Sequence, residues 1–144
     1  MPKKRTGRKR EELLSRFFTV SSVNESVSLH ATAPRGLPPA IDSHAHLEVR
    51  GTIDEPVGES SELNILFFPK DLVEVGTARP ASVGSMDVAR SGIRGGVFIT
   101  HREFDRLWAM SLAGQLKHGH LAFSKPHYRT SFIVSISFSR EKGE

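Results

Sequence analysis

Alternation of apolar and polar side chains runs through much of this sequence and is sharpest at residues 131–139. Successive side chains of a β-strand point to opposite faces of a sheet, so a period of two predicts a half-buried strand. The apolar set of this segment is Phe132, Val134, Ile136 and Phe138. The serine-rich set between them predicts a solvent-facing side, as in an antiparallel sheet.

Similar signals recur along the chain, either as alternation or as enrichment in β-branched and aromatic side chains. Further strands are predicted at 17–23, 26–31, 45–53, 62–68 and 118–123. A Ser-Lys-Pro-His turn at 124–127 joins the last two strands of the chain. Together these segments predict a mainly β (α+β) fold, either an antiparallel β-sandwich or a partly closed barrel.

One amphipathic helix is predicted at about residues 101–113. Thr100 and Glu103 have the spacing of a capping box, in which the two side chains satisfy free backbone amides at a helix start. Apolar side chains then recur at helical spacing, at Phe104, Leu107, Trp108 and Leu112. Gly114 is a natural left-handed terminator, and Leu116 is placed to cover the helix end.

The least regular stretch covers residues 69–96, which are rich in glycine and proline. Long irregular segments in compact domains are often binding loops, and residues 76–96 are therefore predicted to face a protein partner. A meander of short edge strands is the alternative. Gly92 to Gly96 precedes a strand, whereas a phosphate-binding loop follows one, so this segment is interpreted as a turn.

The positive charge of the chain is concentrated at its start. Residues 1–10 contain six basic side chains and no acidic one, namely Lys3, Lys4, Arg5, Arg8, Lys9 and Arg10. Subtracting these six from the 20 basic residues leaves 14 against 16 acidic ones, a net charge of −2. The sequence therefore predicts a flexible basic tail at 1–10, with nothing to bury, and a single β-rich globular domain at 11–144.

A cationic tail of this kind binds phosphates by releasing counterions, without reading base sequence. The same charges also suit an acidic groove on a partner protein, a nuclear import signal in a eukaryote, or a merely solubilising terminus. The start of the chain has no apolar segment typical of a secretory signal, and no apolar run is long enough to span a bilayer. A cytoplasmic protein without membrane contact is expected.

Two pairs of histidines carry the candidate enzymatic chemistry. His44/His46 and His118/His120 are both HxH pairs, whose rings share one face of a predicted strand. Neighbouring strands would let the four imidazoles bind zinc or a similar divalent metal. The absence of cysteine excludes thiolate ligands, disulfides and cysteine nucleophiles.

The first pair lies in Ile41-Asp42-Ser43-His44-Ala45-His46-Leu47, which resembles the first-strand metal motif of amidohydrolases. That resemblance implies a (β/α)8 barrel, which needs ~200 residues or more. The chain has 144 residues, and the alternating pattern continues beyond the motif as a strand. We therefore do not assign the chain to that family.

The sequence favours a non-enzymatic binding or accessory module without a cofactor, which presents loops to a protein partner while its tail binds nucleic acid or another polyanion. A small metal-dependent hydrolase or metal-binding protein using the two histidine pairs is the alternative. A homo-oligomer formed through exposed strands is a third possibility.

Overall fold

The computed structural model describes residues 12–33, 35–70 and 82–142. The strands are β1 (Leu13–Thr32), β2 (Ala40–Val57), β3 (Ser60–Lys70), β4 (Gly84–Ala89), β5 (Gly92–Thr100), β6 (His118–Ser124) and β7 (Thr130–Ser139). The helix is α1 (His101–Leu112). The prediction of a mainly β fold with one helix is confirmed for the described part of the chain, and the basic tail at 1–10 lies outside it.

The strands form one closed barrel in the order β1-β2-β3-β5-β4-β7-β6, with β6 returning to β1. Neighbours are antiparallel except β3 and β5, which are parallel. Of the two predicted alternatives the structure therefore has the barrel and not the sandwich, and closure leaves no free sheet edge along the described part of the wall. The parallel pair was not expected, because it needs a crossover connection that sequence alternation does not reveal.

The core fills the inside of the barrel. On β2 the apolar side of the alternation at 45–53 faces the core, since Leu47, Val49 and Ile53 are all almost fully buried. The largest completely buried side chains come from β3, β6 and other strands on all sides of the barrel, including Phe67, Phe123, Ile65, Leu121 and Ile133. The period-two pattern therefore marks the buried side of β2 correctly between Leu47 and Ile53.

Strand β7 departs from the expected pattern at a bulge. Its pairing with β6 shifts register at Ala122 and Phe123, which pair with Ser135 and Ile133. The extra residue, Val134, turns the strand over, so that Ile133 is fully buried. The predicted inward set is therefore wrong before the bulge and correct after it, where Ile136 and Phe138 pack on the core.

Helix α1 agrees with its prediction to within one residue. Thr100 is the N-cap, and its hydroxyl accepts a hydrogen bond of 3.2 Å from the backbone amide of Glu103. After the helix, Gly114 adopts a φ of 69° and Leu116 is buried. The helix packs on β3 and β5 through Phe104, Leu107, Trp108 and Met110.

The segment predicted to form partner-facing loops, residues 76–96, belongs in most of its described part to strands of the barrel wall. Within 76–96, residues 84–89 and 92–96 belong to β4 and β5, which pair with each other and with β7 and β3. The supposed turn at Gly92–Gly96 is therefore corrected to the first half of β5. A Cβ on Gly95 would lie 2.9 Å from side-chain atoms of both Ile65 and Met86, so glycine here permits tight packing in a strand. Residues 71–81 lie outside the described part.

Strand β1 is one continuous strand, where the sequence predicted two. It pairs with β6 at its start and with β2 along the rest of its length, with a register shift between Val20 and Ser22. The bulge bends the strand, as extra residues in a ladder do. The second half of β1 pairs with β2 to form a two-stranded ribbon that extends beyond the barrel core.

Candidate functional site

The two histidine pairs are not brought together. His44 and His46 lie on β2, whereas His118 and His120 lie on β6, and both strands pair with β1. His46 is opposite Ser26 and His118 is opposite Thr19, positions that are roughly 23 Å apart along an extended strand. Among the described residues no group of three or more histidine, aspartate or glutamate side chains is placed to hold a metal ion. The four-histidine centre is therefore not formed.

Each histidine instead has an aromatic or buried environment of its own. The His120 ring lies 4.8 Å from the Phe17 ring, and the His44 ring lies 5.2 Å from that of His30. The Nδ1 atom of His118 is buried without a hydrogen-bond partner in the described part of the chain. None of these contacts orients a histidine as a metal ligand.

Two serine hydroxyls between β6 and β7 also have a structural role. The buried Ser131 hydroxyl donates to the backbone carbonyl of Ser124, and the Ser124 hydroxyl accepts from the amide of Phe132 at 2.9 Å. These bonds join β6 to β7 beside an open groove of about 450 Å³ that includes His127. Because both hydroxyls bond to backbone groups, we interpret the pair as a structural link between the strands.

The basic residues assigned to nucleic-acid binding, Lys3, Lys4, Arg5, Arg8, Lys9 and Arg10, lie outside the described residues. Their role stays a prediction. Two arginines of the described part of the chain form ion pairs with glutamates. Arg106 bonds Glu103 on the helix at 3.5 Å, and Arg90 bonds Glu59 at the opposite hairpin at 3.4 Å.

The most unusual surface is a two-stranded ribbon, which we call the arm. It comprises residues 26–32 of β1, residues 40–46 of β2 and the turn between them. The two strands pair over seven residues and, among the described residues, with no other strand there. At its base, Glu25 accepts a 2.5 Å hydrogen bond from Ser111, on the last turn of α1. The helix therefore ends where the arm begins.

The arm has two chemically different faces, because directly opposed residues of an antiparallel pair point the same way. The inner face continues the side on which Leu47 is buried. It consists of Val27, Leu29, Ala31, Ile41, Ser43 and Ala45. The outer face is polar and consists of Ser26, Ser28, His30, Thr32, Ala40, Asp42, His44 and His46.

The apolar inner face is largely uncovered. Val27 is 58% exposed, Leu29 is 68% exposed and Ile41 is 75% exposed. The alternation at 26–31 correctly indicated a strand with an apolar side, but a single strand pattern does not tell whether a core lies beneath that side. The exposure of Val27 and Leu29 in the tertiary structure shows that, among the described residues, the core does not continue beneath the arm.

A second apolar surface lies on the outside of the barrel wall, and we call it the aromatic row. Phe68 of β3 and Phe98 of β5 are register neighbours with stacked rings 5.4 Å apart, and His46 continues the row at 6.1 Å from Phe68. The ammonium of Lys70 lies 5.4 Å from the centre of the Phe98 ring. Sequence reasoning missed this row, since it exists only because β3 and β5 are neighbours.

Comparisons of the chain with known proteins identify no family. No family model matches the chain, and neither a curated protein nor a solved structure shows significant similarity to it. Within the described ranges, no helix is long and apolar enough to cross a membrane.

Proposed function

We propose that this chain is a non-enzymatic binding module that docks onto a protein surface through its arm. The barrel serves as the rigid support, and the basic tail adds salt-sensitive affinity for nucleic acid or another polyanion. The protein-binding surface moves from residues 76–96, where the sequence suggested it, to the arm.

The exposed inner face of the arm carries this proposal. Burying one large aliphatic side chain contributes about 1.5–3 kcal/mol relative to leaving it in water. Val27, Leu29 and Ile41 are more than half exposed and lie side by side on one face. Contiguous apolar patches of this kind mark interaction surfaces, whereas isolated exposed apolar residues need no explanation.

The edges of the arm support the same conclusion. Its paired strands contain a single formally charged residue, Asp42, and neither lysine nor proline interrupts them. Natural proteins protect free strand edges with such residues, because unpaired backbone groups recruit other strands. An arm with an apolar face and unprotected edges therefore suits a partner that offers an apolar surface, a strand edge, or both.

The tail gives the module its second proposed activity. Six cations within ten residues supply a substantial sequence-independent attraction to phosphate groups. The remainder of the chain has a net charge of −2, so the proposed polyanion contact depends on the tail and not on the barrel.

Site-specific photocrosslinking tests the docking function. A photoreactive amino acid replaces Leu29 on the inner face of the arm. In a matched variant it replaces Thr52, which is exposed where the same two strands form part of the barrel wall. In cells that naturally contain the protein, we expect a discrete protein adduct from position 29 and none from position 52. Equal, weak labelling at both positions would contradict the proposal.

A further inference from the structure

The arm and the aromatic row are two apolar surfaces of one chain that face opposite ways. In the row Phe98 is exposed, whereas Phe68 and His46 are half-buried. The inner face of the arm lies on the side of β2 that buries Leu47. The row lies on the other side, because successive side chains of a strand point to opposite faces. His46 precedes the buried Leu47. Phe68 follows the buried Phe67, and Phe98 follows the buried Val97. A single chain therefore cannot fold its own arm onto its own row.

The two surfaces can pack together, since one is aliphatic and the other is aromatic. The inner face of the arm carries aliphatic side chains and no charge. The row offers aromatic rings, with Phe98 47% exposed, and its one formal charge, Lys70, already lies over a ring. Aliphatic side chains packed on aromatic faces bury large apolar areas without leaving an unpaired charge.

The area of the arm argues against a dimer in which two arms simply stack on each other. Seven residues of a two-stranded ribbon present roughly 23 × 10 Å, or about 230 Å² of projected area. A standard interface needs about 800 Å² from each partner. One arm contact is therefore weak, whichever surface it packs on. A symmetric arm-on-arm dimer has one such contact and leaves the aromatic row uncovered, whereas contacts between arm and row give every copy two.

Accepting the docking function above, we propose that the partner is a second copy of this chain, and that the inner face of each arm packs on the aromatic row of its neighbour. Such a contact joins two different surfaces, so every copy both gives an arm and receives one. Head-to-tail contacts of this type form a ring when the rotation closes and an open chain when it does not. Each copy then has two interfaces, and in a closed ring these small contacts stabilise one another, because each makes the next one intramolecular.

The oligomeric state of the purified full chain tests this contact. We expect a concentration-dependent assembly larger than a dimer by sedimentation velocity. Leu29→Ser with Ile41→Ser on the arm, and separately Phe98→Ser on the row, should each weaken association about ten-fold or more. His30→Ser, on the polar face of the same arm, is the matched control and should assemble like the parent. Thermal unfolding verifies that each variant is folded.

Mixing the two defective variants distinguishes this arrangement from a symmetric one. The arm variant retains an intact row and the row variant retains an intact arm, so the mixture should form a one-to-one dimer that does not grow. A symmetric arm-to-arm contact predicts no rescue by mixing. Absence of rescue between folded variants would overturn the proposal.

Disulfide trapping locates the contact directly, because the chain has no cysteine of its own. Leu29→Cys mixed with Phe98→Cys should give a cross-linked dimer under mild oxidation, and neither variant alone should cross-link efficiently. A Leu29→Cys homodimer would overturn the proposal in favour of arm-to-arm pairing. Two results together would also overturn it: a parent that stays monomeric at all concentrations, and a photocrosslink from position 29 to a different protein. The docking function would then remain intact.

Discussion

At the residue scale, the barrel depends on glycines that let neighbouring strands approach. Gly119 of β6 pairs with Phe18 of β1, and a Cβ at position 119 would lie 2.1 Å from the ring of that phenylalanine. The Phe18 ring also makes an edge contact with the Phe138 ring at 5.7 Å. The missing side chain therefore creates the space that one core aromatic ring occupies.

Gly119→Ala is expected to destabilise the protein by about 1–3 kcal/mol, the usual range for overpacking a core. Phe18 is 3% exposed and has little room to move away from the added methyl group. Denaturant unfolding measures the difference. Gly96→Ala is the control, because its Cβ would meet only the Phe68 ring, at 3.7 Å. Similar losses in both variants would show that the space at Gly119 is not the cause.

Residue-level reasoning from sequence succeeded where the cause was local. The hydroxyl of Thr100 and the positive φ of Gly114 concern backbone groups within a few positions, and both were predicted. The glycines at 92–96 were interpreted as a turn because glycine is common in turns. In the structure all three lie in β5, and the close packing at Gly95 involves Ile65 and Met86, which belong to other strands.

At the scale of elements, the arm differs from every strand of the wall because, in the part of the chain that the structure describes, no core lies beneath it. Within the same residues its ladder connects β1 and β2 only, over 26–32 and 40–46. Isolated two-stranded ribbons are marginally stable in water, since they bury little apolar surface. The arm should therefore open locally at a lower free energy than the barrel strands.

Hydrogen exchange measures this difference. In the Phe98→Ser variant, which keeps the arm sequence and is expected to be dissociated, amides of residues 26–32 should exchange much faster than those of β3. In the assembled parent the same amides should become protected, because the neighbouring barrel covers the arm. Arm amides protected as strongly as β3 in the dissociated variant would contradict an uncovered arm.

At the scale of the whole molecule, charge is divided between the tail and the rest of the chain. Six tail cations oppose a remainder with a net charge of −2. In an assembly of several copies, the tails would act together on one polyanion and raise the effective affinity. The proposed assembly and the proposed polyanion binding therefore reinforce each other, although each can be tested alone.

Binding of the intact chain to duplex DNA across a salt series tests the tail. Six phosphate contacts per chain predict a log–log salt slope of about −5. Deleting residues 2–10, or replacing the six basic residues of the tail by glutamine, should remove this binding. Unchanged affinity in the deletion variant would transfer the polyanion site to the barrel, and no binding by the intact chain at moderate salt would end the proposal.

The sequence by itself determined the local structure, because strand and helix periods are properties of neighbouring residues. The helix at His101–Leu112, the inward side of β2 and the strand at 26–31 all follow from such patterns. Only the tertiary structure decided which strands became neighbours. That choice closed the barrel, stacked Phe68 on Phe98, and kept the two histidine pairs apart. It also left the arm without a core beneath it, since burial depends on contacts between distant segments and not on the period of one strand.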